Sequence, residues 1–152
     1  MRRDTDHVRA NLSLEPKPFT ARIETGDLLR YAEAVEASEP WFSNERAARA
    51  SRYGTLIAAP TYLITMRGLL TQSLADAGYT RPLPNSVDGG SEWEYLEPIR
   101  PGDTITGTAR IVDYVERETS LGPAQFQVIE ITFRNQFDQI VVRERDTWIF
   151  YP

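Results

Sequence analysis

The chain has 152 residues, of which 41% are hydrophobic and 26% charged, an average globular composition at a length that suits one domain. It contains no cysteine, which excludes disulfides, thiolate metal sites and cysteine nucleophiles. The net charge is −5 and the arginines are interleaved with acidic residues, so neither nucleic acid nor a membrane is expected as a partner.

The N-terminal segment, residues 1–17, is polar and shows no sustained period, so we expect an arm that lies along the surface or stays mobile. Its charged start does not fit a signal peptide. The most apolar segment, residues 63–74, contains Arg67 and Gln72 and is too polar to span a membrane. These features predict a cytoplasmic protein with a single domain over residues 1–152.

The first half of the chain carries one short strand and several helical patterns. Residues 19–23 alternate apolar and polar side chains, which predicts a strand. Thr25 is a good N-cap for a helix over residues 26–35. Pro40 prevents this helix from continuing further along the chain. Residues 44–52 predict one or two further helical turns.

The longest helical pattern covers residues 61–77. Pro60 precedes it, as is common at helix starts, and Gly78 ends it. One face is apolar and is widened by Ile64 and Leu69, so we expect this helix to be buried. The shared face consists of Leu63, Met66, Leu70, Leu74 and Ala77.

From residue 81 onward the apolar residues alternate, which is typical of strands. Strands are predicted over residues 87–95, with a bulge at Gly89-Gly90, and over residues 104–118, 125–136 and 140–151. Short turns join them, which indicates an antiparallel sheet. A buried helix packed on such a sheet places the chain in the α+β class.

Three short motifs occur in order along the chain: YAEAV at residues 31–35 with AARASRYG at 47–54, LIAAPT at 56–61, and GGSEWEY at 89–95 with PIRPGD after it. Together they resemble the MaoC-like hydratase/dehydratase family in its FAS1-like branch. Each is weak alone, and the ordered set is much more specific. The resemblance implies a hot-dog fold, in which an antiparallel sheet wraps around a long central helix, here residues 61–77.

The resemblance also implies an activity. Members of this family reversibly add water to an enoyl thioester at the interface of paired hot-dog domains. An aspartate and a histidine move the protons, and a backbone N–H near the start of the central helix stabilises the enolate-like oxygen. No cofactor or metal is expected, since the sequence has no Gly-rich phosphate loop, Rossmann fingerprint or metal-ligand cluster.

The chain departs from the family at the catalytic positions. With Pro40 as the anchor, Ala37 stands at the position of the aspartate and Phe42 at that of the histidine, and neither side chain can carry a proton. Pro60 lacks the backbone N–H that a family His-Gly pair would offer. The single histidine, His7, lies in the polar arm. The sequence therefore predicts a hot-dog domain without the catalytic Asp and His.

Other side chains could still serve the pocket. Glu39, and beside it Glu36, could act as an acid or base if buried near aromatic residues, although both also suit a solvated helix end. Aromatic residues at the pocket positions could line an acyl tunnel or fill the core. The predicted substrate-binding residues are Trp41, Phe42, Pro60, Thr61, Trp93 and Tyr95.

Two main functions remain open. The first is the non-catalytic, substrate-shaping subunit of a heteromeric hydratase, which binds an acyl-CoA or acyl-carrier-protein thioester and is active only with a catalytic hot-dog partner chain. The alternative is a non-enzymatic hot-dog homodimer that binds an acyl thioester or another small hydrophobic ligand. A thioesterase-like or isomerase-like reaction in the same pocket is a third possibility.

Overall fold

The fold is a five-stranded antiparallel sheet with helices packed against it, seen in a computed structural model that describes residues 6–120 and 122–152. The strands are β1 (Phe19–Arg22), β2 (Asn85–Tyr95), β3 (Thr104–Thr119), β4 (Gly122–Arg134) and β5 (Ile140–Tyr151). Their order across the sheet is β1-β3-β4-β5-β2, so β1 and β2 form the two edges. This arrangement confirms the α+β prediction.

The helices are α1 (Asp6–Asn11), α2 (Thr25–Ala34), α3 (Pro40–Ser43), α4 (Glu45–Ala50) and α5 (Arg67–Asp76). A 3-10 segment, Tyr62–Met66, leads directly into α5, and the two together form the central helix.

The sequence predicts one continuous α-helix over residues 61–77, and the predicted start of this helix is wrong. Thr61 has a left-handed φ of 66° and lies outside the helix. In the following 3-10 segment the hydroxyl of Thr65 donates to the carbonyl of Tyr62 at 2.8 Å, a local bond that competes with the regular α-helical pattern. The entrance to the central helix is therefore a tight turn.

The sheet covers only one side of the central helix. Four residues of the predicted apolar face are buried in the same core as Ile105, Ile129 and Phe133, namely Leu63, Met66, Leu70 and Leu74. The fifth, Ala77, is only half-buried, because the helix ends at Asp76. Ile64 and Leu69, however, are each 42% exposed, so the prediction that the whole helix is buried is wrong for them.

Strand β2 has a bulge and a free edge. Its register with β5 shifts between Asp88 and Ser91, which confirms the bulge predicted at Gly89-Gly90. A Cβ at Gly89 would lie 2.9 Å from the carbonyl oxygen of Thr147, so the two backbones approach closely there. Among the described residues, β2 pairs only with β5, and most of its side chains are exposed.

The polar N-terminal segment contains helix α1, which the sequence pattern did not indicate. Asn11 is 2% exposed and forms two hydrogen bonds with the backbone of Thr80, donating at 2.7 Å and accepting at 3.1 Å. The hydroxyl of Ser73 donates to the carbonyl of Lys17 at 2.5 Å. These bonds tie the segment to the end of α5. Residues 1–5 of the predicted arm lie outside the described residues.

Helix α2 begins and ends one residue earlier than predicted. Thr25 is its first residue, and Glu24 occupies the N-cap position without a side-chain hydrogen bond. Leu28 is buried and Tyr31 half-buried, as the period indicates. Val35 is 47% exposed, because the helix ends at Ala34 and its final apolar position is no longer held against the core.

Candidate functional site

An apolar cavity of about 430 Å³ lies among α3, the segment after α4, the start of the central helix and the end of β2. Apolar and aromatic side chains form most of its wall, among them Phe42, Ile57, Leu63, Trp93, Leu96 and Ile99. Such a concave apolar site with a few polar groups is the usual form of a small-molecule pocket.

The structure gathers most of the predicted substrate-binding residues at this cavity. Its wall includes Phe42, Pro60, Trp93 and Tyr95. Trp41 packs edge-on against Phe42, with 6.1 Å between ring centroids, and thereby supports the wall. The backbone N–H of Thr61 donates to the phenol oxygen of Tyr95 at 2.7 Å.

The turn at Thr61 is strained and held by two phenols. A left-handed φ is rare for a β-branched residue, and the Thr61 hydroxyl lies 2.8 Å from the hydroxyl of Tyr31. Partial burial raises the pKa of Tyr95, whose ring stacks on Trp93 with an interplanar angle of 10°. The sequence indicates that Pro60 has no backbone N–H to donate, and in the structure the N–H of the next residue, Thr61, is already bonded to Tyr95.

The positions expected to hold the acid and base lie beside the cavity. Phe42 is 8% exposed and contributes to the wall, and Ala37 is half-buried against the same small cluster of apolar residues. Glu36 and Glu39 are exposed, and neither lines the cavity. His7 belongs to α1, and its side chain lies outside the part of the chain that the structure describes.

The sequence pattern did not indicate two charged residues of the wall, Arg52 and Glu97. Arg52 donates to the hydroxyl of Tyr53 at 2.6 Å, and its guanidinium carbon lies 4.8 Å from the centroid of that ring. Glu97 supplies the only carboxylate among the lining residues that the structure describes. Arg52 and Glu97 both lie in loops, where hydrophobic periodicity does not indicate the direction of a side chain.

A charged cluster is buried between α5 and the sheet. Arg67 hydrogen-bonds Glu144 and lies 3.0 Å from Asp146, and both carboxylate side chains are 1% exposed. Asp146 also accepts from the hydroxyl of Ser91 at 2.8 Å and from the indole of Trp148 at 2.5 Å. Burial raises the pKa of Glu144 to about 7, although Arg67 opposes this rise.

The described residues contain no group of three or more histidine, aspartate or glutamate side chains arranged to hold a metal ion. Within residues 6–120 and 122–152, no helix has the length and apolar character needed to cross a membrane.

The described lining of the cavity offers a ligand an apolar wall, tyrosine hydroxyls, one guanidinium and one carboxylate.

Residues 12–144 match the family described as "FAS1-like, dehydratase domain region". A probable enoyl-CoA hydratase alpha subunit from Thermomonospora curvata is 28% identical over 149 residues, which cover 86% of this chain and 46% of that protein. A UPF0336 protein from Streptomyces coelicolor is 30% identical over 97 residues, which cover 62% of this chain and 65% of that protein. The chain therefore spans about half the length of the first relative and less than two thirds of the second.

Solved structures share the fold at low sequence identity. The HadBC 3R-hydroxyacyl-ACP dehydratase complex from Mycobacterium tuberculosis has a TM-score of 0.75 at 19% identity, covering 90% of this chain and 93% of that chain. The ChsH1-ChsH2 complex from the same organism has a TM-score of 0.73 at 23% identity, covering 97% and 91%. These likenesses confirm the predicted hot-dog fold. With the family match over residues 12–144, they establish that the chain belongs to the FAS1-like dehydratase family and has the MaoC-like hot-dog fold.

Proposed function

We propose that the chain is the non-catalytic, substrate-shaping subunit of a heteromeric enoyl-thioester hydratase or 3-hydroxyacyl-thioester dehydratase. The observation that carries the proposal is the cavity wall, which is largely apolar and includes Phe42. The sequence pattern, anchored on Pro40, aligns Phe42 with the family's histidine and Ala37 with its aspartate. The similarity to a hydratase alpha subunit and to chains of two complexes supports a subunit role.

The polar end of the cavity suits a thioester carbonyl. The phenol oxygen of Tyr95 accepts from the Thr61 N–H, which leaves the phenol proton available to a ligand. An ordinary tyrosine already keeps this proton at neutral pH, and partial burial raises the pKa of Tyr95 further. Stacking on Trp93 holds the ring in place. An acyl group would then lie along the apolar wall, beside Phe42.

The proposed partner would pair along β2 and supply the missing Asp and His. This strand has 11 residues and a free edge, and long exposed edges readily add a strand from another chain. Trp93 and Tyr95 lie on β2 and also line the cavity, so a chain paired there would stand next to the site.

The test is hydration of crotonyl-CoA by the chain alone and by the chain with a hot-dog partner that carries Asp and His. We expect no hydration by the chain alone and hydration by the pair, lost again when the histidine of the partner is replaced by glutamine. Hydration by the chain alone that disappears in Glu97→Gln or Glu39→Gln would contradict the proposal and indicate a rewired site. A stable homodimer that binds the thioester without turnover would favour the alternative of a non-enzymatic binder.

A further inference from the structure

The free edge of β2 is the longest unpaired strand edge of the described sheet. Strand β2 has 11 residues, whereas β1, at the other edge, has 4. Val87 and Tyr95 on β2 are each 50% exposed, and Leu96, directly after the strand, is 42% exposed. A long edge with large exposed apolar side chains is a surface on which another strand can pair. The charged side chains of the edge then decide which strand fits.

Every charged side chain of β2 is acidic. The strand contains Asp88, Glu92 and Glu94 and has no lysine, arginine or histidine. All three acids are exposed. Glu92 and Glu94 point to the same face of the sheet, because side chains alternate along a strand and both residues follow the bulge. The edge therefore presents two like charges close together, with a third beyond the bulge.

The neighbouring strand β5 neutralises these acids only in part. Arg143 lies 2.9 Å from Glu94, but their side chains are 50% and 58% exposed, and an exposed pair of this kind interacts weakly. Arg145 stands opposite Glu92 in the register of the two strands, yet its guanidinium bonds Glu130 instead. Within the described part of the chain, Glu92 forms no ion pair.

A second copy of this chain would meet the acidic edge with the same charges. Two copies that pair antiparallel about a two-fold axis present the same strand to each other. An axis at Glu92 or at Glu94 sets that glutamate opposite itself, and an axis at Trp93 sets the two glutamates opposite each other. An axis nearer the bulge brings Asp88 alongside them. Directly opposite side chains are about 4.5–5.5 Å apart at Cβ, where like charges are destabilising.

A strand with the opposite charges would turn this repulsion into attraction. Lysine or arginine at two positions, separated by one residue, would stand on one face and place a cation opposite both Glu92 and Glu94. Complementary charge of this kind accelerates association, and like charge excludes the wrong partner.

We infer that the acidic edge of β2 rejects a second copy of this chain and selects a partner of different sequence, whose edge strand carries two basic residues on one face. The inference rests on the pairing along β2 that the proposed function includes, and it adds the chemistry by which the partner is recognised. It also gives a physical reason why the chain would enter a heteromer rather than a homodimer.

The test is a charge swap within the chain itself, followed by sedimentation velocity. The wild-type chain alone and the variant Glu92→Lys, Glu94→Lys alone should each associate weakly, because each meets its own charges. Their mixture should associate at least about tenfold more tightly than either protein alone. Added salt should weaken this association, because the paired charges are exposed.

Two further variants separate the edge from net charge and from the introduced lysines. Glu15→Lys, Glu33→Lys makes the same change in net charge at two exposed glutamates outside β2, and its mixture with the wild-type chain should show no gain. Glu92→Gln, Glu94→Gln removes the repulsion without adding a cation, so this variant should associate with itself more tightly than the wild-type chain does.

The outcomes separate the inference from the proposed function. Equal association in the wild-type chain alone and in the charge-swapped mixture would overturn the inference, and so would a glutamine variant that associates no more than the wild-type chain. Neither result bears on hydration of crotonyl-CoA with a catalytic partner, which tests the proposed function by turnover. Charge-selected association combined with a catalytic partner that produces no hydration would keep the inference and overturn the proposed function.

Discussion

The backbone N–H of Thr61 donates to the phenol oxygen of Tyr95 at 2.7 Å, which joins the start of the central helix to the end of β2. Thr61 also contacts the hydroxyl of Tyr31 at 2.8 Å. A β-branched residue keeps a φ of 66° only where its surroundings compensate for the strain. The two tyrosines therefore hold a strained turn beside the cavity.

Replacing Tyr95 by phenylalanine removes the acceptor of the Thr61 N–H. We expect the free energy of unfolding to fall by about 1 kcal/mol, the usual net contribution of one hydrogen bond. Amide hydrogen exchange at Thr61 should become faster. Tyr31→Phe is the matched control, because it removes the contact to the Thr61 hydroxyl and leaves the N–H bond in place. Equal protection of the Thr61 amide in both variants would show that Tyr95 does not hold this turn.

Gly107 and Gly68 should respond in opposite ways to replacement by alanine. A Cβ at Gly107 would lie 2.4 Å from the ring of Phe19, whereas nothing lies within 4 Å of one at Gly68. Because Phe19 is buried and packs on Phe133, Gly107→Ala should lower the free energy of unfolding by about 1–3 kcal/mol. Gly68→Ala, in helix α5, should raise it by about 0.5–1 kcal/mol. Urea unfolding of both variants measures the two effects, and a stable Gly107→Ala protein would mean that Phe19 can move aside.

The strands could be predicted because their side chains keep a period of two even where the residues are polar. Gln125 and Gln127 fall in phase with the apolar face of β4, and both are buried. Gln127 is fully buried, and its side-chain oxygen accepts from the hydroxyl of Tyr79 at 2.6 Å. The phase of the alternation, rather than polarity, therefore determines which face of this strand turns inward.

The buried ion cluster could not be predicted in the same way. Arg67 and Glu144 are 77 residues apart in the chain, and local periodicity carries no information about such a pair. In the sequence, Arg67 only marks a helix as too polar for a membrane. The left-handed φ of Thr61 likewise depends on tertiary contacts, because this conformation is unfavourable for threonine on its own.

Val87 should matter for association and not for folding. It lies on the free-edge strand β2 and is 50% exposed, and lysine on an exposed edge discourages strand pairing. We expect Val87→Lys to weaken association with the proposed partner at least about tenfold, while the free energy of unfolding changes by no more than about 0.5 kcal/mol. Val115→Lys, at a 36% exposed valine of β3, is the matched control. Size-exclusion chromatography of the mixed chains measures association, and equal effects of the two lysines would place the interface elsewhere.

Glu144 should make the stability of the chain depend on pH in an unusual direction. Its pKa is about 7 in the folded protein, whereas an unperturbed glutamate titrates near about 4.3. Between these values the folded chain keeps a proton that the unfolded chain has lost. Rising pH therefore favours the unfolded state, and this destabilising contribution is complete above about pH 7.

Glu144→Gln removes this titration and keeps the side chain nearly the same size. Relative to wild type, the variant should gain stability steadily as the pH rises from about 4.3 to about 7, with a constant difference outside that window. Urea unfolding of both proteins across the range measures this difference. A carbon-13 NMR titration of the Glu144 carboxyl checks the same group directly. Parallel stability curves, or a carboxyl that titrates near its ordinary value, would mean that Arg67 compensates fully for the burial of Glu144.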